Sequence, residues 1–209
     1  HGTPVPGFDR HCALMSLPYA FGTRVTTVPA TVPYLSAQAG RIAHWRERLG
    51  THDYRIGISW QGRRSAVDVG RSFPLAALAP LASLPGVRLI SLQKGDGAEQ
   101  LGTLPSGMDV ESPGTEFDAG PDAFLDSAAV IANLDLVVTS DTAIAHLAGA
   151  LAAPTCVALR HVPDWRWMDG VGPSPWYPTL RLFRQQLPGD WAGVFRRIAA
   201  EIHAQIATT

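Results

Sequence analysis

The chain has 209 residues, 46% of them hydrophobic and 17% charged, with a formal net charge of −1 at pH 7. That length supports one large domain with a real core, or one domain and a piece of another, and the near-zero charge gives no electrostatic ground for a nucleic-acid or membrane-surface partner. No apolar run can span a bilayer, since the longest, Ala148 to Leu159, is broken by Pro154, and no signal-peptide pattern opens the chain. Cys12 and Cys156 are the only cysteines; with no disulfide framework and no metal spacing they fit a reducing, cytoplasmic setting. The opening His1-Gly2-Thr3-Pro4 has no initiator Met and reads as a tag scar or the cut edge of a longer protein.

Residues 1–35 are irregular and rich in Pro, Gly and Thr. Within them Cys12 to Phe21 is an apolar run with no strand partner nearby, expected to pack on the main body, on a second copy or on a further domain. Ser36 to Leu49 has helical spacing, with Ser36 as the N-cap, Ile42, Trp45 and Leu49 on one face, and Gly50 as the stop. A repeating pattern then begins. Tyr54 to Trp60 is a strand, Pro74 to Leu84 a helix opened by Pro, and Val87 to Gln93 a second strand. A short helix follows at Ala98 to Leu101, then a loop over 102–120 with a short strand at Met108 to Glu111. Asp122 to Leu134 is a helix, Leu136 to Thr139 a strand, Thr142 to Leu151 a helix and Thr155 to Leu159 a strand. After an aromatic loop holding Trp165, Trp167, Trp176 and Tyr177, expected mainly to cap the core, come a strand at Leu180 to Phe183 and an amphipathic helix from Trp191 to Ile206. Continuous apolar strands alternating with helices indicate an α/β fold, a doubly wound, Rossmann-like parallel sheet with an irregular N-terminal extension. The division expected is 1–50 as a remnant of another domain with a linker helix, and 51–209 as the α/β domain.

Right-handed crossovers put the strand carboxyl ends on one edge, where ligands of such sheets bind. Three of those ends carry candidate chemistry. The first is Ser59-Trp-Gln-Gly-Arg-Arg64, with Gln61 and a set of arginines that includes Arg71, whose forks match phosphate oxygens. The second is Ser91-Leu-Gln-Lys-Gly-Asp-Gly-Ala-Glu99. Gln93 and Lys94, the sole lysine, stand at the strand end, Gly95 and Gly97 let backbone approach a ligand, and Glu99 can accept from a ribose. The third is the turn Ser140-Asp141-Thr142, where a strand passes at once into a helix whose free N–H groups and dipole suit a diphosphate. His146 lies one helical turn beyond Thr142, on the same face. A structural alternative stands beside each: an N-cap at Ser140 or Asp141, a core histidine at His146, solvated charges at the arginines, Lys94 and Glu99. No G-x-G-x-x-G, G-x-x-x-x-G-K-[ST] or G-x-S-x-G occurs, which disfavours an NAD site, a P-loop and an α/β-type serine hydrolase. No resident cofactor or metal is expected.

The segments GISWQG, RSFPL, VRLISLQKG, SDTAIAHLAGAL and PDWRW followed by SPWYPTLRLFRQ resemble the C-terminal half of bacterial glycosyltransferases often joined to tetratricopeptide repeats. Those enzymes are related to the ADP-heptose lipopolysaccharide heptosyltransferases of glycosyltransferase family 9 and share the GT-B fold. The resemblance runs over roughly residues 8–206. It implies donor sugar-nucleotide binding, with Ser59, Gln61 and Arg71 on the phosphate side, Lys94 and Glu99 near the nucleotide, and Asp141, Thr142 and His146 on the diphosphate and sugar. Ala143 stands where heptosyltransferases usually carry Gly; its Cβ narrows backbone access and argues against heptose as the sugar. The resemblance further implies that the acceptor pocket and general base belong to an N-terminal domain upstream of this chain. Three readings follow: a donor-binding domain incomplete for transfer, a non-catalytic module docking on tetratricopeptide repeats, or an enzyme completed by a second copy. The donor sugar, base and acceptor are not named by the sequence.

Overall fold

A computed structural model describes residues 7–64, 70–169 and 173–207; the opening His1-Gly2-Thr3-Pro4 lies outside them. In chain order the helices and strands are α1 (Leu17–Ala20), α2 (Ala39–Leu49), β1 (Tyr54–Ser59), α3 (Ala79–Ala82), β2 (Val87–Ser91), α4 (Leu125–Ile131), β3 (Leu136–Ser140), α5 (Ala143–Ala150), β4 (Thr155–Leu159), β5 (Leu180–Arg184) and α6 (Trp191–Ile206). The strands form one sheet in the order β2-β1-β3-β4-β5, every neighbouring pair parallel. The doubly wound parallel sheet expected from the sequence is therefore present. The chain builds outward from β1 to β2, then crosses back to β3 and on to β5. The direction reverses between β1 and β3, which opens a crevice at their carboxyl ends.

Alternation along the strands decides which helices pack where. Ile56, Ile58, Leu136, Val138, Cys156 and Ala158 face a layer made by α3, the preceding turn and α6, filled by Leu75, Leu78, Leu81, Val194, Phe195, Ile198 and Ile202. Ile90, Leu92 and Val137 face the opposite layer of α2, α4 and α5, with Trp45, Leu49, Ala129, Val130, Ile131, Ile144 and Ala148. β3 and β4 are buried along their whole length, which is why their sequences are apolar except for Thr139 and Ser140 at the end of β3 and Thr155 at the start of β4. Burial also holds the Cys156 thiol near a pKa of about 12, a small inert core group. α2 belongs to the same body: beyond its apolar face, Asn133 Nδ2 donates to the Ile42 carbonyl at 3.0 Å.

Several boundaries differ from the sequence expectation for local reasons. The N-cap of α2 is Gln38, not Ser36, because the Tyr34 and Leu35 N–H groups both donate to the Ala150 carbonyl, at 3.0 and 3.2 Å, and keep the chain extended. α4 begins at Leu125, not Asp122. Its amide donors are met from a distance by Asp118, whose carboxylate accepts from Asp126 N at 2.9 Å and from Ser127 Oγ at 2.5 Å. The helix expected over 74–84 is a 3-10 turn, Leu75–Leu78, followed by α3; Pro80 has no N–H to continue an α-helical ladder there. Of the strand expected at Met108 to Glu111, a single bridge from Glu111 to Ile90 is formed, braced by a two-pronged Arg88–Glu111 pair at 2.7 Å.

The apolar run of the N-terminal extension does not fold back on the body. Leu14, Met15, Tyr19 and Phe21 are all exposed, Tyr19 to 93%. Contact with the body starts farther on, at Val32 and Ala37.

Candidate functional site

The crevice between β1 and β3 is a cavity of about 350 Å3. Ser59, Gln61, Gly62 and Arg63 form one wall, Leu92, Gln93 and Lys94 another, Asp118, Ala123, Phe124 and Ser127 the outer rim, and Thr142, Ala143 and Ile144 the floor at the head of α5. A second, more open cleft of about 570 Å3 shares Thr142 and Ala143 with it and adds Arg71, Asp141, His146, Asp164 and Arg166. A third space of about 200 Å3 continues from His146 and Arg166 to Trp165, Trp176 and Tyr177. The three form a row along the carboxyl edge, centred on the first turn of α5. There the N–H groups of Ala143 and Ile144 precede any carbonyl of their own helix and point outward. The N-cap is Thr142, whose side chain makes no cap bond; its hydroxyl lies 3.1 Å from Thr139 Oγ1.

The site residues expected from the sequence fall into three groups. Ser59, Gln61, Gln93, Lys94 and Thr142 meet in the first cavity, and Arg71, Asp141, Thr142 and His146 in the second. Gln93 and Lys94 have their polar atoms committed to loop backbone. The Gln93 amide accepts from Trp60 N and Gln61 N, both at 3.0 Å, and donates to the carbonyls of Gln61 at 2.7 Å and Asp96 at 2.8 Å. It is the pin that joins the loops after β1 and β2. Lys94 Nζ donates to the carbonyl of Phe117 at 2.6 Å and to that of Asp118, so it holds the outer rim in place. Ser140 and Glu99 lie outside the cavities. Ser140 is fully buried with an unpaired Oγ. Glu99 is exposed and pairs with Arg64; its own N–H, the Gly97 N–H and Arg64 hold its carboxyl below the usual range. Gly97, at φ 93°, makes its close approach to the Gln61 side chain and not to the cavity.

His146 stacks on Trp167 at 5.3 Å between centroids, with 19° between planes, and its Nδ1 is 3.2 Å from the Tyr177 hydroxyl. Burial pushes its pKa below the ordinary value; the nearby Asp141 charge opposes this and Arg166 adds to it. The imidazole is therefore neutral at pH 7, a hydrogen-bonding group and not a cation. Beside it, Asp164 caps the turn Trp165–Trp167 and accepts from Arg166 Nη1 at 2.8 Å. Partial burial would raise its pKa, but the Arg166 backbone and side chain, with the charges of Arg166 and Arg71, hold it below the usual range.

The aromatic loop divides. Trp167 is fully buried and Tyr177 is 9% exposed, so both cap the core. Gly149 of α5 lies so close under Tyr177 that a Cβ would strike its ring. Trp165 is 59% exposed, its ring 4.6 Å from the Arg166 guanidinium, and it lines the third space with Trp176. Phe124, Asp118, Asp164 and Arg166 were not among the residues expected at the site. Asp164 and Arg166 were visible in the PDWRW segment, whereas nothing near Asp118 or Phe124 in sequence points to the crevice. Among the described residues no group of three or more His, Cys, Asp or Glu side chains could hold a metal ion, and no helix is long and apolar enough to cross a membrane.

Residues 75–159 match the family model for glycosyltransferase family 9 (heptosyltransferase), so the family resemblance drawn from the sequence holds from the turn before α3 through β4, a stretch that includes β2, β3 and α5 but not β1. The chain is 30% identical over 181 residues to protein FlbA of Caulobacter vibrioides, a match covering 83% of this chain and 29% of that protein. Among solved structures, the E. coli ADP-heptose lipopolysaccharide heptosyltransferase II superposes with a TM-score of 0.63 at 17% identity, over 86% of this chain and 55% of that one. The E. coli heptosyltransferase WaaC with ADP gives a TM-score of 0.51 at 18% identity, over 84% and 52%. A family 9 glycosyl transferase from Veillonella parvula gives 0.51 at 12%, over 87% and 48%. These likenesses show a shared fold, and this chain spans about half the length of the solved structures.

Proposed function

We propose that a protein carrying this glycosyltransferase family 9 segment transfers a sugar from a nucleotide diphosphate to an acceptor hydroxyl, and that this chain is its donor-binding half. The observation that supports the reading is the row of neighbouring cavities, sharing lining residues, around the head of α5, at the point where the strand order reverses. The nucleoside occupies the first cavity, whose apolar lining is Leu92, Phe124 and Ile144. The diphosphate meets the N–H groups of Ala143 and Ile144 and the Thr142 hydroxyl. The sugar lies in the open cleft, where Asp141 accepts from its hydroxyls. Arg71, Arg166 and the helix dipole offset the charge that develops on the leaving diphosphate. The acceptor pocket and general base are assigned to a partner half, for which exposed Leu14, Met15, Tyr19 and Phe21 are the docking surface. The competing reading, a nucleotide-sugar-binding or interaction module without turnover, draws on the same exposed surface; sugar transfer by the longer protein would exclude it.

Ala143→Pro tests the phosphate position without breaking the helix. Position N1 favours proline, and the extended backbone of Thr142, at φ −136° and ψ 175°, suits a residue before proline. The substitution removes one N–H donor to an anion, a bond worth about 1.5–3 kcal/mol. Calorimetry with UDP, ADP, GDP and CDP is expected to show the wild type binding at least one of them and the variant binding it at least about tenfold more weakly. Equal affinities for a folded variant would refute the placement.

In this reading no divalent ion is required. Of the acidic groups near the cavities, Asp164 is engaged by Arg166 and Asp118 by the start of α4, Asp141 is assigned to the sugar hydroxyls, and the diphosphate charge falls to arginines and backbone N–H groups. EDTA is expected to leave the nucleoside diphosphate affinity unchanged. A loss beyond about tenfold, about 1.4 kcal/mol, that magnesium restores would contradict it.

A further inference from the structure

Phe124 sits at the rim of the first cavity in a conformation that phenylalanine rarely accepts. Its backbone is left-handed, with φ 70° and ψ 0°, a region where a bulky L residue is strained. Core packing does not account for it, because the residue is 44% exposed and borders the cavity. The backbone geometry is fixed by its neighbours and not by its side chain. The Phe124 carbonyl accepts from Ala128 N at 2.9 Å, and Asp118 and Asp126 exchange reciprocal bonds at 2.9 and 3.0 Å across the turn. A turn of this shape calls for glycine. An aromatic residue here answers to the cavity and not to the turn.

We propose that Phe124 is the stacking platform for the base of the bound nucleotide, kept at the expense of backbone strain. The inference rests on the donor-binding reading above and adds to it the residue that grips the nucleoside. The larger aliphatic side chains of the lining, Leu92 and Ile144, come from just beyond β2 and from α5, so a flat ring entering the crevice is held between Phe124 and aliphatic side chains. Stacking uses the π face that every base has. The platform therefore raises affinity for any nucleoside over a bare diphosphate and leaves the choice of base to other groups.

Calorimetry with pyrophosphate and with UDP, ADP, GDP and CDP, together with thermal melting, tests this on wild type, Phe124→Gly, Phe124→Ala and Phe124→Trp. Wild type is expected to bind at least one nucleoside diphosphate more tightly than pyrophosphate. Phe124→Gly and Phe124→Ala are expected to lose at least about fivefold in nucleoside diphosphate affinity, a loss within the range of a single base–aromatic contact, with pyrophosphate affinity unchanged. Phe124→Trp keeps the wild-type preference. The strain has its own signature: Phe124→Gly melts about 2 °C or more above Phe124→Ala, the reverse of the usual order for these two residues. Nucleoside diphosphate binding undiminished in Phe124→Gly, or pyrophosphate binding lost to the same extent, overturns the platform while the donor reading stands. Wild type that binds neither pyrophosphate nor any nucleoside diphosphate overturns both.

Discussion

A Gly57→Val variant is expected to melt roughly 6–12 °C below wild type, the shift that about 3 kcal/mol produces in a chain of this size. Gly57 is in the middle of β1, paired with Ile90 of β2 on one side and Val137 of β3 on the other. Its neighbours Ile56 and Ile58 point into the α3–α6 layer, so position 57 points into the other. There the space that a side chain would take is already filled: a Cβ would collide with Leu134 Cδ1 and come within 2.8 Å of Leu92 Cδ1. Forcing three more carbons into that contact is overpacking, which costs about 1–3 kcal/mol and more where nothing can yield. Leu92 is 2% exposed and lines the crevice, so any shift that relieves the clash also deforms the candidate nucleoside cavity. Urea or thermal unfolding checks the stability; a variant within 1–2 °C of wild type would show that the two leucines can move aside at little cost.

The second large effect concerns Asp126, the polar junction between α2 and α4. Its carboxylate accepts from Arg41 Nη1 at 2.6 Å, Trp45 Nε1 at 3.1 Å and Asp118 N at 3.0 Å. Asp126→Ala leaves the indole N–H of Trp45, which is 1% exposed, and the Asp118 amide without partners. At about 1–3 kcal/mol for the buried indole donor, with a smaller term for the half-buried Asp118 amide, the variant is expected to lose roughly 2–4 kcal/mol. It also frees the Asp118 segment that Lys94 holds at the cavity rim. The same carboxylate makes stability depend on pH. Burial alone would raise its pKa, but the bonds from Trp45, Arg41 and Asp118 and the Arg41 charge bring it below the ordinary value. A folded pKa below the unfolded one gives stability that is complete above about pH 4, the unfolded carboxylate value. That stability is lost as pH falls through the depressed folded pKa. Denaturant melts between pH 2 and 6 are expected to show wild type falling more steeply at the acid end than Asp126→Asn. Parallel profiles would mean that folding does not lower the Asp126 pKa.

Local sequence periodicity carried the sheet, because burial on both faces makes β3 and β4 mostly apolar runs, and β3 passes almost at once into α5. It also carried the strand–turn–helix at Ser140 to Thr142, whose chemistry is local: a polar turn, an open helix terminus and a histidine one turn on. Side chains whose role depends on a partner far away in sequence were a different matter. Gln93 and Lys94 stand at the strand end as expected, yet their polar atoms bind loop backbone around residues 61, 96, 117 and 118, contacts that exist only once the loops close over the sheet edge. Glu99 turns out to Arg64 and Ser140 is sealed inside, because which way a side chain points at the end of a strand or on a short helix is set by neighbours and not by spacing.

The sequence by itself determined the fold class and the strand–turn–helix at the carboxyl edge on which the donor-binding proposal rests, since each follows from short-range pattern and from the handedness of crossovers. Only the tertiary structure decided that Asp118 caps α4 from seven residues before its first helical residue, that Trp165 faces out while Trp167 faces in, and that a strained Phe124 borders the crevice. Those are outcomes of long-range packing and hydrogen-bond satisfaction. They depend on which segments the closed fold brings together, and a one-dimensional pattern does not contain that information.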